Sequence, residues 1–380
     1  MSAAQVVVAT GVRADHALLT SVAEAEFERL GVPGTVAVVS GAAELRERLA
    51  AGTPTVVLPG PAAEVRALMA VDGPHAAATV WYDIEVTGPA AVASGAVHLY
   101  GRGVWGLVWA IRHAVLRLRH PATRIAYGPH PDQYGELRLP ATGGPVPVAV
   151  LLHGGFWRSV WAADLMDALA ADLVARGFAA WNLEYRRPDR YGWAATTADV
   201  AAGISALSKV DTSGDAALSG LDTGTAAPAL DLDRVAVLGH SAGGQLALRV
   251  AADGGRVALA VSLAGVLDLA GGDGRAIGTG AVTAALGGPR YEVPEVYAAS
   301  DPMARVPIGV PQLVVQGAAD DLDLIDFNRR YVAAARAAGD DVRYVEEAGD
   351  HFAVIDPSAP LWHTTMAAVA EALGVAEKIT

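Results

Sequence analysis

From Gln5 to about Val115, short apolar runs alternate with segments of helical length. The runs are Val6-Val7-Val8, Thr35 to Val39, Thr55 to Leu58, Thr79 to Tyr82 and Ala96 to Leu99. Between them lie Ala14 to Leu30, Ala42 to Ala51 and Ala62 to Ala70, and Val104 to Leu118 closes the series. A run without polar alternation is buried on both faces, and the intervening helices supply the cover. The pattern therefore predicts a small parallel sheet wound on both sides.

The alternation restarts after Pro147. Val148 to Leu152, Phe178 to Leu183, Val235 to Leu238, Val257 to Leu263, Gln312 to Val315 and Val342 to Val345 read as strands. Val160 to Arg176, Thr196 to Leu207, Tyr331 to Ala338 and Thr365 to Leu373 read as helices. This is a second and larger α/β unit. The stretch between the two series is rich in proline (Pro121, Pro129, Pro131, Pro140, Pro145 and Pro147) around two extended runs, Thr123 to Tyr127 and Glu136 to Leu139. Proline fixes φ and removes a donor, so this is a junction leading into a hairpin. The domain boundary is expected near His120, giving units 1–119 and 120–380. Asp211 to Leu230 has no periodicity and reads as a solvated insertion rather than a lid.

Composition narrows the class. With 52% hydrophobic and 18% charged residues, disorder is excluded. Lys and Arg number 28 against 41 Asp and Glu, a formal charge of −13, which argues against nucleic acid or an anionic membrane as partner. Cysteine is absent, which excludes disulfides, thiolate catalysis and Cys-ligated zinc. No apolar stretch approaches the ~18 residues of a membrane span, and the first residues lack a basic region, so a cytoplasmic protein is expected.

Gly239-His240-Ser241-Ala242-Gly243 follows the run Val235 to Leu238 and precedes the helix-forming segment Gln245 to Val250. Glycine two positions before and after the serine permits a sharp strand-to-helix turn that lifts the hydroxyl clear of the sheet edge. In a chain with 42 glycines such a match arises by chance about one time in six, so the candidacy of Ser241 depends on what accompanies it. His153-Gly154-Gly155-Phe156-Trp157 leaves the strand ending at Leu152. A glycine-rich loop there brings bare backbone N–H groups to a developing oxyanion, so the expected donors are those of Ala242 and of Gly155 or Phe156.

A serine hydroxyl needs a base, and the base needs a carboxylate to orient it. After Ser241 the histidines are His351, in a loop after a strand, and His363, beside the last helix. His351 is the expected base, and His363 is expected to pack or face solvent. Past the strand Gln312 to Val315 the acids are Asp320, Asp321 and Asp323; the spacing favours Asp320 and leaves the others open. His153, Gly154, Trp157 and His240 are expected to border the substrate, with Phe156, Trp161, Tyr185, Tyr191 and Trp193 as aromatic neighbours. Gly101-x-Gly103-x-x-Gly106 carries a dinucleotide-binding pattern, but on the last strand of its series, where close helix packing is the better reading.

These features together resemble the α/β-hydrolase superfamily over residues 120–380. The order Ser241, Asp320, His351 is the one expected of that fold. Within it, His153-Gly-Gly-Phe-Trp157, Asn182-Leu-Glu-Tyr-Arg186, Thr197-Ala-Asp-Val200 and His351-Phe352 before Ile355-Asp356-Pro357 are similar to the kynurenine formamidase and small carboxylesterase branch. The resemblance implies an eight-stranded-type sheet and hydrolysis of small esters or aryl formamides through an acyl-enzyme, with no metal or organic cofactor. Phe156 stands where the branch commonly has tyrosine, which bears on substrate identity. An acyltransferase or cyclase built on the same residues is the alternative.

The first unit resembles a type II 3-dehydroquinate dehydratase, a small flavodoxin-like enzyme, through Glu44-Leu-Arg-Glu-Arg-Leu49, Leu58-Pro59-Gly60 and Gly101-Arg-Gly-Val-Trp-Gly106, which implies a flavodoxin-like doubly wound domain. Leu58 stands where that family has asparagine and Tyr82 where it has histidine, so the unit is expected to have lost the dehydratase chemistry. An interaction module, through which the chain forms a homo-oligomer, is the role left for it.

Overall fold

The computed structural model describes residues 3–210, 212 and 227–375. The chain divides into two compact units, Met1–Pro121 and Ala122–Thr380.

The first unit contains strands β1 (Ala4–Ala9), β2 (Gly34–Val39), β3 (Thr55–Leu58), β4 (Thr79–Asp83) and β5 (Val97–Tyr100). All pair in parallel in the order β2-β1-β3-β4-β5, the flavodoxin-like arrangement. β1 shows why its run is unbroken: Val6 and Val8 join a cluster with Leu19, Phe27, Leu107 and Ile111, whereas Val7 and Ala9 join Leu45, Leu49, Met69 and Trp81. Each face of the strand is buried under different helices. Asp15 caps the helix His16–Arg29 by accepting from the Leu18 N–H at 2.8 Å, which satisfies one of the orphan donors of the first turn.

The second unit contains β6 (Thr123–Ala126), β7 (Tyr134–Arg138), β8 (Val146–Leu152), β9 (Ala179–Leu183), β10 (Leu230–His240), β11 (Leu259–Leu263), β12 (Gln312–Gly317) and β13 (Val342–Glu347). The order is β13-β12-β11-β10-β8-β9-β7-β6. β7 runs antiparallel to β6 and β9, and the remaining pairs are parallel. This is the α/β-hydrolase sheet that the sequence implied. Val148, Val150 and Leu152 of β8 share a core with Trp181, Leu183, Leu246 and Val250.

Element boundaries depart from the sequence reading in informative places. The helix expected from Val160 begins at Asp167, after a 3-10 turn at Ala163–Met166, because the Ala163 N–H is drawn to the Glu184 carboxylate at 2.9 Å. Tyr331 to Ala338 is the later part of one helix, Leu322–Ala337. β10 starts at Leu230, with its register shifted between Asp231 and Val235. The rest of the insertion expected at Asp211 to Leu230 falls largely outside the described residues. Short helices at Leu269–Gly274, Ile277–Leu286 and Pro294–Ser300 carry too much glycine and alanine to have shown a helical stripe. Among the described residues, no helix is long and apolar enough to cross a membrane.

Candidate active site

Central strand β10 is paired with β8 on one side and β11 on the other, and it passes into the helix Ala242–Ala252 through a single residue. That residue, Ser241, has φ 55 and ψ −117, a conformation that L-residues rarely adopt. The flanking glycines make the turn sterically feasible. A Cβ on Gly239 would lie 1.9 Å from the Gly243 carbonyl oxygen, and one on Gly243 would lie 2.2 Å from that of Leu152. The turn is tied down by the Ser241 N–H, which donates to Leu263 O at 2.8 Å. Ala242 opens the helix, so its N–H has no acceptor within the helix and sits at the positive end of the helix dipole.

The loop after β8 comes against this turn. A Cβ on Gly154 would lie 2.7 Å from His240 O and 2.9 Å from Ser241 Cβ, so only glycine lets the loop approach so closely. The next three residues are all left-handed: Gly155 at φ 106, Phe156 at φ 52 and Trp157 at φ 55. A non-glycine residue there costs about 1 kcal/mol or more, so the surroundings must hold the loop in place.

β12 and β13 deliver the other residues. Their loops are bonded together, with Ala318 N–H donating to Glu347 O at 2.7 Å and Ala319 N–H to Gly349 O at 2.8 Å. Asp320 Oδ2 accepts from His351 Nδ1 at 2.9 Å and from Gln316 Nε2 at 2.8 Å, and its Oδ1 accepts from the Asp321 N–H at 2.6 Å. Burial pushes the Asp320 carboxyl up, but the His351 bond and charge outweigh it and the group lies below the ordinary carboxylate range. The Asp320 side chain is 2% exposed and that of His351 23%. With Nδ1–H committed to the carboxylate, His351 keeps Nε2 as a proton acceptor.

The alternatives left open by spacing are occupied elsewhere. Asp321 caps the helix Leu322–Ala337, accepting from the Asp323 N–H at 2.8 Å, and Asp323 pairs with Arg275. His363 is exposed and bonds to Arg176 at 3.1 Å.

Three of the residues expected to border the substrate are buried. Trp157 is 1% exposed and belongs to the hydrophobic core; its indole N–H donates to Gln245 Oε1 at 3.3 Å. His153 is 1% exposed and faces Glu184 Oε1 through Nε2 at 3.2 Å while stacking on Tyr185, centroid to centroid 4.4 Å. His240 is 2% exposed and donates through Nε2 to His351 O at 3.0 Å. Burial, reinforced by His351, pushes His240 down to about 3, so its ring is neutral. Gly154 is buried beneath Ser241, and Phe156 is partly exposed. Tyr185 is buried as well, whereas Tyr191 faces solvent.

The sequence reading gave Glu184 no role of its own. It follows β9 beside His153 and accepts from His153, from the N–H groups of Tyr185 and Ala163, and from Arg187. Its signals were its place in the Asn182-Leu-Glu-Tyr-Arg186 motif and its position directly after an apolar strand, where an acid is common at surfaces.

In the first unit a cavity of about 510 Å³ is lined by Gly11, Arg13, Leu58, Arg66, Tyr82 and Asp83, among others. The Tyr82 hydroxyl donates to Gly103 O, and a Cβ on Gly106 would lie 2.2 Å from that hydroxyl. Of the glycines in this turn, Gly106 thus serves close packing, whereas Gly101 and Gly103 adopt the left-handed backbone at φ 74 and φ 63.

The family model for BD-FAE matches residues 136–326, from β7 into the helix after Asp320. Solved structures share the fold. A bifunctional GH43-CE protein of Bacteroides eggerthii superposes with a TM-score of 0.55 at 19% identity, over 66% of this chain and 35% of that one. A truncated carbohydrate esterase from gut microbiota gives 0.53 at 17% identity, over 66% and 95%. A propionate-bound thermophilic esterase of the Planctomycetes species Thermogutta terrifontis gives 0.50 at 20% identity, over 68% and 97%. The chain therefore spans about a third of the first of these proteins and nearly all of the other two. No curated protein is significantly similar in sequence.

Proposed function

The chain belongs to the BD-FAE family of α/β-hydrolases, and on that premise we propose that it is a serine hydrolase of small esters or aryl formamides. The observation that carries the reading is the 2.9 Å bond from His351 Nδ1 to Asp320, on a histidine whose backbone carbonyl accepts from His240, the residue that precedes Ser241 in its strained turn.

His351 Nε2 takes the proton of Ser241 as its oxygen attacks the substrate carbonyl. The N–H groups of Ala242 and of Gly155 or Phe156 receive the oxyanion, and each such donor is worth about 100- to 1000-fold in turnover. His351 then hands its proton to the leaving group, and water releases the acyl group by the same steps in reverse. Asp320 holds the tautomer and stabilises the imidazolium. The first unit takes no part in this chemistry and joins copies of the chain; a monomeric mass in solution would refute that role.

A fluorophosphonate probe should label Ser241 in the intact chain and fail on Ser241→Ala. No labelling of a folded wild-type protein would sink the hydrolase reading. A panel of aryl formamides, short-chain aryl esters and an acetylated sugar, with and without a competing alcohol, separates the substrate classes and hydrolysis from acyl transfer.

A further inference from the structure

The run Gly155–Phe156–Trp157 is left-handed throughout, and such a run persists only where its neighbours over-determine it. The structure shows two attachments, one at each end. At the first end Glu184 is fully enclosed and accepts from His153 Nε2 at 3.2 Å, Tyr185 N at 3.0 Å and Ala163 N at 2.9 Å, with Arg187 on the same carboxylate. Tyr185 completes the grip: its ring stacks on His153 at an interplanar angle of 11°, and its hydroxyl donates to His153 O at 2.7 Å. Both the ring and the backbone carbonyl of His153 are thus fixed by the residues that end β9.

At the second end Trp157 is sunk into the core and donates to Gln245 Oε1 at 3.3 Å, and Gln245 in turn donates to Ser300 O at 2.8 Å. Gln245 lies on the helix that Ser241 opens. The loop is therefore referenced to the nucleophile's own helix at one end and to the neighbouring strand at the other.

We propose that Glu184, acting through His153, and Gln245, acting through Trp157, are positioning residues that set the Gly155 and Phe156 N–H groups against Ser241. The proposal rests on the serine hydrolase reading for its catalytic half. Glu184 touches no reacting atom, and its effect is to fix donors that matter when charge develops on the substrate oxygen. Removal should therefore lower kcat and leave KM nearly unchanged.

The test uses the full chain with Glu184→Gln, which keeps shape and loses charge, and with Trp157→Phe, which keeps an aromatic side chain but loses the donor and part of the indole's packing. Fluorophosphonate titration of Ser241 counts competent sites, so misfolded molecules do not enter kcat. Glu184→Gln should lower kcat about 100-fold, with KM changed less than about threefold. The double variant with His153→Phe should be no slower than His153→Phe alone, because both act along one route. Amide exchange over residues 152–159 reads the attachment without catalysis and should quicken about tenfold in either variant. Unchanged exchange overturns the proposal, as does faster exchange with unaltered kcat, or multiplying losses in the double variant. Failure of the wild type to react with the probe would instead sink the hydrolase reading, while the exchange result would still decide the anchoring.

Discussion

His240 donates through Nε2 to the backbone carbonyl of His351, 3.0 Å away, and the two rings lie 4.8 Å apart. One imidazole of the pair is thereby spent on holding the other's backbone. Burial keeps His240 neutral down to about pH 3, so it supplies no second titration in the working range. The acid limb of log kcat/KM against pH should accordingly be the same in His240→Gln as in the wild type. A displaced limb in the variant would mean that His240 titrates in the working range. Gln offers a side-chain N–H at a similar reach, so His240→Gln should retain far more activity than His240→Ala.

Asp320 and Asp321 are neighbours with separate roles. Asp320→Asn should lower kcat by about 10⁴-fold with little change in stability, because an amide no longer enforces the Nδ1–H tautomer. Asp321→Ala should cost about 1 kcal/mol of stability through loss of the helix cap and leave kcat within a few fold. Steady-state kinetics and thermal melts of the two variants decide it; the reverse assignment of effects would exchange their roles.

The turn at Ser241 holds backbone strain. At φ 55 and ψ −117, glycine is at ease and serine is not, so Ser241→Gly should abolish hydrolysis and raise stability by about 1 kcal/mol. A calorimetric melt that moved downward would show that Ser241 is not strained. Gly239→Ala should act oppositely, since its Cβ would lie 1.9 Å from a backbone oxygen. The expected loss is at least about 2 kcal/mol.

Acid should weaken the first unit through Asp83. Its carboxylate is gripped by both Nη atoms of Arg66 at 3.0 Å and by His98 Nε2 at 2.9 Å. Burial opposes the charge, but the His98 and Arg66 bonds lower the group from 3.8 to about 2. A folded value below the unfolded one gives stabilisation that is complete above about pH 4 and is lost as pH falls towards 2, on the order of 2 kcal/mol. Asp83→Asn should remove most of it, so wild type and variant should differ in denaturant midpoint at pH 6 and converge near pH 2. An equal gap at both pH values would refute the assignment.

The apolar runs determined that both sheets exist and that their strands are mostly parallel, because a strand covered on both faces, such as β1 or β8, leaves an unbroken hydrophobic record in the chain. Glycine spacing likewise marked the turn at Ser241, since backbone contacts as short as those of Gly239 and Gly243 admit no side chain. What the sequence could not determine was the partner of each polar group. Asp320, Asp321 and Asp323 are alike as residues, and only the meeting of the β12 and β13 loops directs the first at His351 and the second at a helix end. Trp157 and His153 read as groups bordering a ligand, and the packing buried both. Glu184 is the extreme case, an acid at a strand end whose interactions depend on β9 lying beside β8 in the sheet. Apolar burial is written in local periodicity, whereas polar pairing is settled by which distant segments the fold brings together.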